Sequence, residues 1–151
     1  MVTDTIEREI VIEAPAERVW ALLTEAEHVG RWFGDVGAEI DLRPGGVFRL
    51  TWEEHGTAAG RVVAVEPHTR FAYRWNALGP KWGDEPEDGA ATLVEFTLHP
   101  EGVATRLRVV ESGFSALAVD DVARRTAFDG NTEGWGQELG HLAEYAGRVA
   151  A

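Results

Sequence analysis

The chain of 151 residues is 44% hydrophobic and 26% charged, which suits one folded domain over residues 1–151 and argues against disorder along most of its length. Its 26 acidic against 14 basic residues leave a formal net charge of −12, a field that repels phosphate backbones and anionic lipid and so argues against nucleic acid or a membrane surface as partner. Cysteine is absent, which removes disulfides, thiolate nucleophiles and cysteine metal sites; with no secretory leader pattern and no run near the ~18 apolar residues of a membrane span, a cytoplasmic location is expected.

Residues 5–13, TIEREIVIE, alternate Ile6, Arg8, Ile10 and Ile12 and predict a strand. The chain turns at Ala14-Pro15, and APAERVWALLTE carries Pro15, Glu17 and the helically spaced Ala16, Val19, Trp20 and Leu23, which predicts a short amphipathic helix. AEHVGRW continues as a second short helix, with Gly30 weakening it and Gly34 offering a left-handed stop. From residue 36 to 112 the texture changes to alternating runs: GAEIDLR, GVFRLTWEE, TAAGRVVAVE, RFAYRWNA, TLVEFTLH and VATRLRVVES. The links Pro44-Gly45-Gly46, His55-Gly56, Pro67-His68 and Pro100-Glu101-Gly102 carry turn chemistry, so the runs predict an antiparallel meander. LGPKWGDEPEDGA, 78–90, reads as a surface loop, with Trp82 anchored on the sheet or forming a contact point.

After Gly113-Phe114 the period becomes helical, and Trp135, Leu139, Leu142 and Ala146 form one stripe. Asp120 or Asp121 is placed to cap the helix, whereas Gly130, Gly134, Gly136 and Gly140, at about 1 kcal/mol each, favour a start nearer Asn131-Thr132. The expected fold is α+β: six or seven antiparallel strands curled around a long C-terminal helix, with two short helices after the first strand. Phe48, Leu50 and Trp52 share one strand parity, as do Phe71, Tyr73 and Trp75, and Val94, Phe96 and Leu98. These nine predict the inner face. Arg49, Glu53, Arg70, Arg74, Glu95, Arg106 and Arg108 fall on the solvated face, so parity argues against one of these carboxylates, Glu53 or Glu95, turning inward.

These motifs in this order, IEREIVIEAPAERVWALLTEAEHVGRWFG, RPGGVFRLTW, GRVVAVEPHTRFAYRW, TLVEFTLHPEGVATRLRVVESGF and GWGQELGHLAEYA, resemble the START-related, birch-pollen-allergen-like helix-grip superfamily called SRPBCC. Within it they resemble bacterial homologues of the activator of heat-shock protein ATPase, over about Ile6 to Ala146. The resemblance implies a cavity between the sheet and the long helix, bordered by the second short helix. Trp32, Phe33, Phe48, Trp52, Tyr73, Trp75, Phe96, Trp135 and Leu139 are the residues expected to line it. For any one of these aromatics, core packing is as good an explanation as ligand contact.

Specific chemistry is sparse. The five histidines are scattered and no metal-ligand spacing emerges; GxSxG, phosphate-loop and calcium-loop patterns are absent, so neither metal nor cofactor is expected. Tyr73, Glu54, Glu95 and His141 are the candidates for an acid or base in an apolar cavity, and none is assigned a catalytic role. The expected function is binding of a small, largely apolar molecule, with Tyr73 or Arg61 as polar anchor. The alternatives are a co-chaperone-like protein-interaction domain and an enzyme resembling polyketide cyclases or dehydratases. The oligomeric state is left open by the sequence.

Overall fold

A computed structural model describes residues 4–34, 36–54, 56–77, 86 and 89–149. Seven strands form one antiparallel sheet: β1 (Thr5–Ile12), β2 (Gly37–Ile40), β3 (Val47–Trp52), β4 (Gly56–Glu66), β5 (Arg70–Asn76), β6 (Ala91–Glu101) and β7 (Ala104–Ser112). Their spatial order is β1-β7-β6-β5-β4-β3-β2, so β2 to β7 form the expected meander and β1 closes onto its last strand. Between β1 and β2, which are the two edges, the chain forms α1 (Ala16–Thr24) and α2 (Ala26–Trp32).

Eight of the nine residues predicted to face inward are buried, and Trp52 is partly exposed. The opposite parity carries ion pairs: Arg70 with Glu66 and Glu95, Arg106 with Glu9 and Glu101, and Arg108 with Glu7. On a solvated face each such pair contributes little. Val19, Leu22 and Leu23 of α1 join Phe71, Phe96 and Leu107 in the core, where burial of each large aliphatic side chain contributes roughly 1.5–3 kcal/mol.

Three local expectations need correction. The C-terminal helix α3 runs unbroken over Asp121–Val149 rather than starting near Asn131. Asp120 Oδ1 accepts the Ala123 amide at 2.8 Å, and tertiary packing overrides the glycine propensities. Its predicted stripe of Trp135, Leu139, Leu142 and Ala146 is buried. Second, Pro100 and Glu101 belong to β6, and the turn falls on Gly102, whose φ of 63° suits glycine.

Third, Gly34 does not adopt a left-handed conformation. A Cβ there would lie 2.9 Å from Gly37 O and 3.0 Å from Thr51 O, and one on Gly30 would lie 3.1 Å from Ala38 N. The two glycines of GRWFG therefore let α2 approach the backbone of β2 and β3 closely. Most of the expected loop 78–90, Trp82 included, lies outside the described residues.

Candidate functional site

A cleft of about 410 Å³ opens between the sheet and α3. One wall is Phe33, just after α2, with Trp52 of β3 and Trp75 of β5; the facing wall is α3, through Asn131, Gly134, Trp135 and Glu138. Phe33 is the hub of the aromatic wall, its ring centroid 5.9 Å from Trp52, 5.8 Å from Trp75 and 5.3 Å from Trp135. The Trp52 indole donates to Phe33 O at 2.8 Å, which ties the post-helix residue to the strand.

Space for the cleft comes partly from α3. Gly130 and Gly134 both line it, and a Cβ built on either meets nothing within 4 Å. Four residues apart, they lie on one face of the helix. Beyond Phe33, Trp52 and Glu138 a second depression of about 320 Å³ continues toward Arg31, His141, Glu144 and Arg148.

Of the nine residues expected to line a cavity, Phe33, Trp52, Trp75 and Trp135 border the cleft. Trp32 borders the second depression, stacked on Phe33 at 4.9 Å, and its indole donates to Leu22 O at 2.7 Å. Phe48, Tyr73, Phe96 and Leu139 are buried in the core and line neither opening. Strand parity turns Phe48, Tyr73 and Phe96 into the core, Leu139 lies on the buried stripe of α3, and Phe48 stacks on Tyr73 at 4.0 Å.

The candidate acids and bases disperse. Glu54 is exposed. Glu95 pairs with Arg70 on the outer face. His141 is exposed, 3.6 Å from Glu138, and lies on the second depression. The Tyr73 hydroxyl is buried and meets no hydrogen-bond partner among the described residues. Burial pushes its phenol well above the ordinary value, and the charges of Glu111 and Glu138 add to that rise. Arg61, the other proposed anchor, is bound to Gly45 O at 3.2 Å in an exposed setting. Neither anchor residue lines the cleft.

The carboxylate that does turn inward is Glu111, on β7. It is fully buried and sits directly behind the cleft wall. Oε1 accepts the Trp135 indole at 2.8 Å; Oε2 accepts the Trp75 indole at 3.0 Å and the Thr92 hydroxyl at 2.5 Å; Asn131 Nδ2 lies 3.1 Å from both oxygens. Among the described residues no cation lies within ion-pair distance of it. Burial raises its pKa above the usual carboxylate range, and the hydrogen bonds from Thr92, Trp75, Trp135 and Asn131 pull it back down.

The sequence signal for Glu111 was parity: it follows Leu107 and Val109 at two-residue steps on the inward side of the strand. Its four donors come from β5, β6 and α3, a convergence that only the register of the strands creates. Among the described residues no group of three potential metal ligands forms, and no helix is long and apolar enough to cross a membrane.

A curved antiparallel sheet holding a long C-terminal helix, with two short helices after the first strand and a cleft between helix and sheet, defines a helix-grip protein of the SRPBCC type. Residues 13–147 match the activator of Hsp90 ATPase homolog 1-like protein family, and the chain belongs to that family. Among solved structures it is similar to protein MLL2253 from Mesorhizobium loti, at 27% identity over 95% of this chain and 97% of that one, with a TM-score of 0.77. Protein NE0264 from Nitrosomonas europaea has the same fold at 22% identity, covering 97% and 96% of the two chains with a TM-score of 0.75. So does CalU16 from Micromonospora echinospora, at 24% identity over 94% and 75% with a TM-score of 0.70. No curated protein matches the chain.

Proposed function

We propose that the chain binds a small, largely apolar molecule in the cleft between the sheet and α3. The supporting observation is the aromatic wall of Phe33, Trp52 and Trp75 facing Trp135 and the glycine-lined stretch of α3 across about 410 Å³. That volume falls in the ~300–1,000 Å³ range of small-molecule sites. Tryptophan and phenylalanine supply much contact area with few rotatable bonds, so little entropy is lost when a ligand is held. Native mass spectrometry of the freshly purified protein, compared with the same sample denatured, tests this. An added mass that disappears on denaturation supports binding. A bare protein whose tryptophan fluorescence is also unchanged by a panel of apolar aromatic compounds would overturn it.

A second reading has its support in the family match over residues 13–147: a protein-interaction role of the kind for which the family is described. An ATPase assay of a heat-shock protein of the Hsp90 class with saturating amounts of this chain discriminates. Stimulation supports the interaction role, and an unchanged rate removes it.

A further inference from the structure

We propose that the ligand of the cleft is an acid: its apolar body lies against the aromatic wall and its carboxylate reaches the second depression, where Arg31 and Arg148 receive it. The proposal rests on the binding reading above and adds the charge class of the ligand and the residues that select it.

The two openings adjoin, because Phe33, Trp52 and Glu138 border both. Their chemistry differs. Among the described residues lining the cleft none is lysine or arginine, whereas the depression of about 320 Å³ carries Arg31 from the end of α2 and Arg148 from the end of α3. A molecule that fills the cleft and extends past Phe33 and Trp52 passes from aromatic surface to guanidinium groups.

Both arginines are exposed, and among the described residues neither makes an ion pair or a hydrogen bond. Each sits in the last turn of its helix, where a cation suits the helix dipole. That role uses the charge of an arginine but none of its N–H donors, whose fork meets a carboxylate two at a time. The acidic residues of the depression do not take up these donors. Glu138 is engaged elsewhere, with His141 Nδ1 3.6 Å away and a further interaction of its own. Glu144 lies one helical turn before Arg148, and among the described residues it forms no ion pair.

Two unpaired guanidinium groups therefore share the depression with one unpaired carboxylate, a balance that suits one further negative charge. A phosphate, with up to about two charges, would meet more repulsion from Glu144. A neutral group gains nothing from the arginines, and a cationic one is repelled by them. Trp32, Phe33 and Gly34, which also line the depression, are buried, and a charge-assisted bond is stronger beside such low-dielectric surface than in open water. The overall charge of −12 does not cancel this local attraction, since physiological salt screens exposed charges beyond about 8 Å.

Isothermal titration with 6-phenylhexanoate, 6-phenylhexanamide and 6-phenylhexylammonium keeps one skeleton and varies the charge. The acid should bind about tenfold more tightly than the amide, with the ammonium compound weakest, and the preference should shrink as salt is added. Replacing both arginines, Arg31→Gln with Arg148→Gln, should abolish the preference in a protein whose urea midpoint is unchanged, and each single change should lower it in part. Glu144→Gln should tighten the acid. Equal or tighter binding of the amide or the ammonium compound, or a preference that survives in the double variant, overturns the acid assignment while leaving the binding reading standing. Failure of all three compounds to bind overturns both.

Discussion

Glu111 holds together groups from three elements, and its worth to the fold is set by what its removal would strand. The indoles of Trp75 and Trp135 can only donate, and both point at this carboxylate along with Thr92 and Asn131. Glu111→Ala leaves these donors buried without an acceptor; at about 1 kcal/mol or more for each, the variant should lose about 4 kcal/mol in urea unfolding. A loss below about 1 kcal/mol would mean that the donors find other acceptors. Tyr73 is the converse case. Its hydroxyl already lacks a partner among the described residues, so Tyr73→Phe removes a desolvated group and keeps the stack on Phe48. That variant should be neutral or up to about 1 kcal/mol more stable, and a loss of stability in the same assay would reveal a partner for the phenol.

At the scale of elements, β7 and α3 share the work of building the cleft. β7 supplies the buried acceptor, and α3 supplies two of its four donors and the open space. Gly130 and Gly134 weaken the helix in isolation, yet their missing side chains keep the cleft open. Gly134→Ala should therefore raise the melting temperature through up to about 1 kcal/mol of helix propensity, with binding retained. Gly134→Leu should fill the cleft and abolish binding without unfolding the chain. Retained binding in a folded Gly134→Leu protein would place the ligand elsewhere.

Alternation along the strands and the i, i+3, i+4, i+7 stripe of α3 made most of these elements legible in the sequence, because each pattern needs only its own segment. Gly34 was misread because a stop and a close approach select the same residue type. The start of α3 was misread because local propensity carries no information about the sheet the helix packs on. The candidate site was legible only in part: inward parity finds an aromatic but does not say whether it lines an opening, as Trp75 does, or packs in the core, as Phe96 does.

At the scale of the whole molecule, a net charge of −12 makes acidification relieve self-repulsion, and two carboxylates titrate against each other on top of that trend. Asp4 accepts the Ser115 hydroxyl at 2.5 Å, the Ser115 amide at 3.1 Å and the Gly113 amide at 3.3 Å, which fastens the chain start to the 3-10 turn at Phe114–Ala116 that follows β7. The Ser115 hydroxyl is the main cause of its lowered pKa. Unfolded Asp4 takes up its proton first as pH falls, so its contribution is present above the usual aspartate range, about 3.9, and is lost as pH drops through its lower folded value. Glu111 has the opposite sign. Burial raises its pKa, so the unfolded chain gives up the proton first as pH rises; its contribution is complete below about 4.3 and declines until the pH has passed the raised folded value. Stability of the wild-type chain relative to Glu111→Gln should therefore grow as pH is lowered from 7 toward 5, since glutamine does not titrate. Stability relative to Asp4→Asn should instead hold over that range and shrink only in stronger acid. Urea unfolding of the three proteins at matched ionic strength measures both differences, and a Glu111→Gln difference that shrank on acidification would mean that the folded protein favours the ionised carboxylate despite its burial.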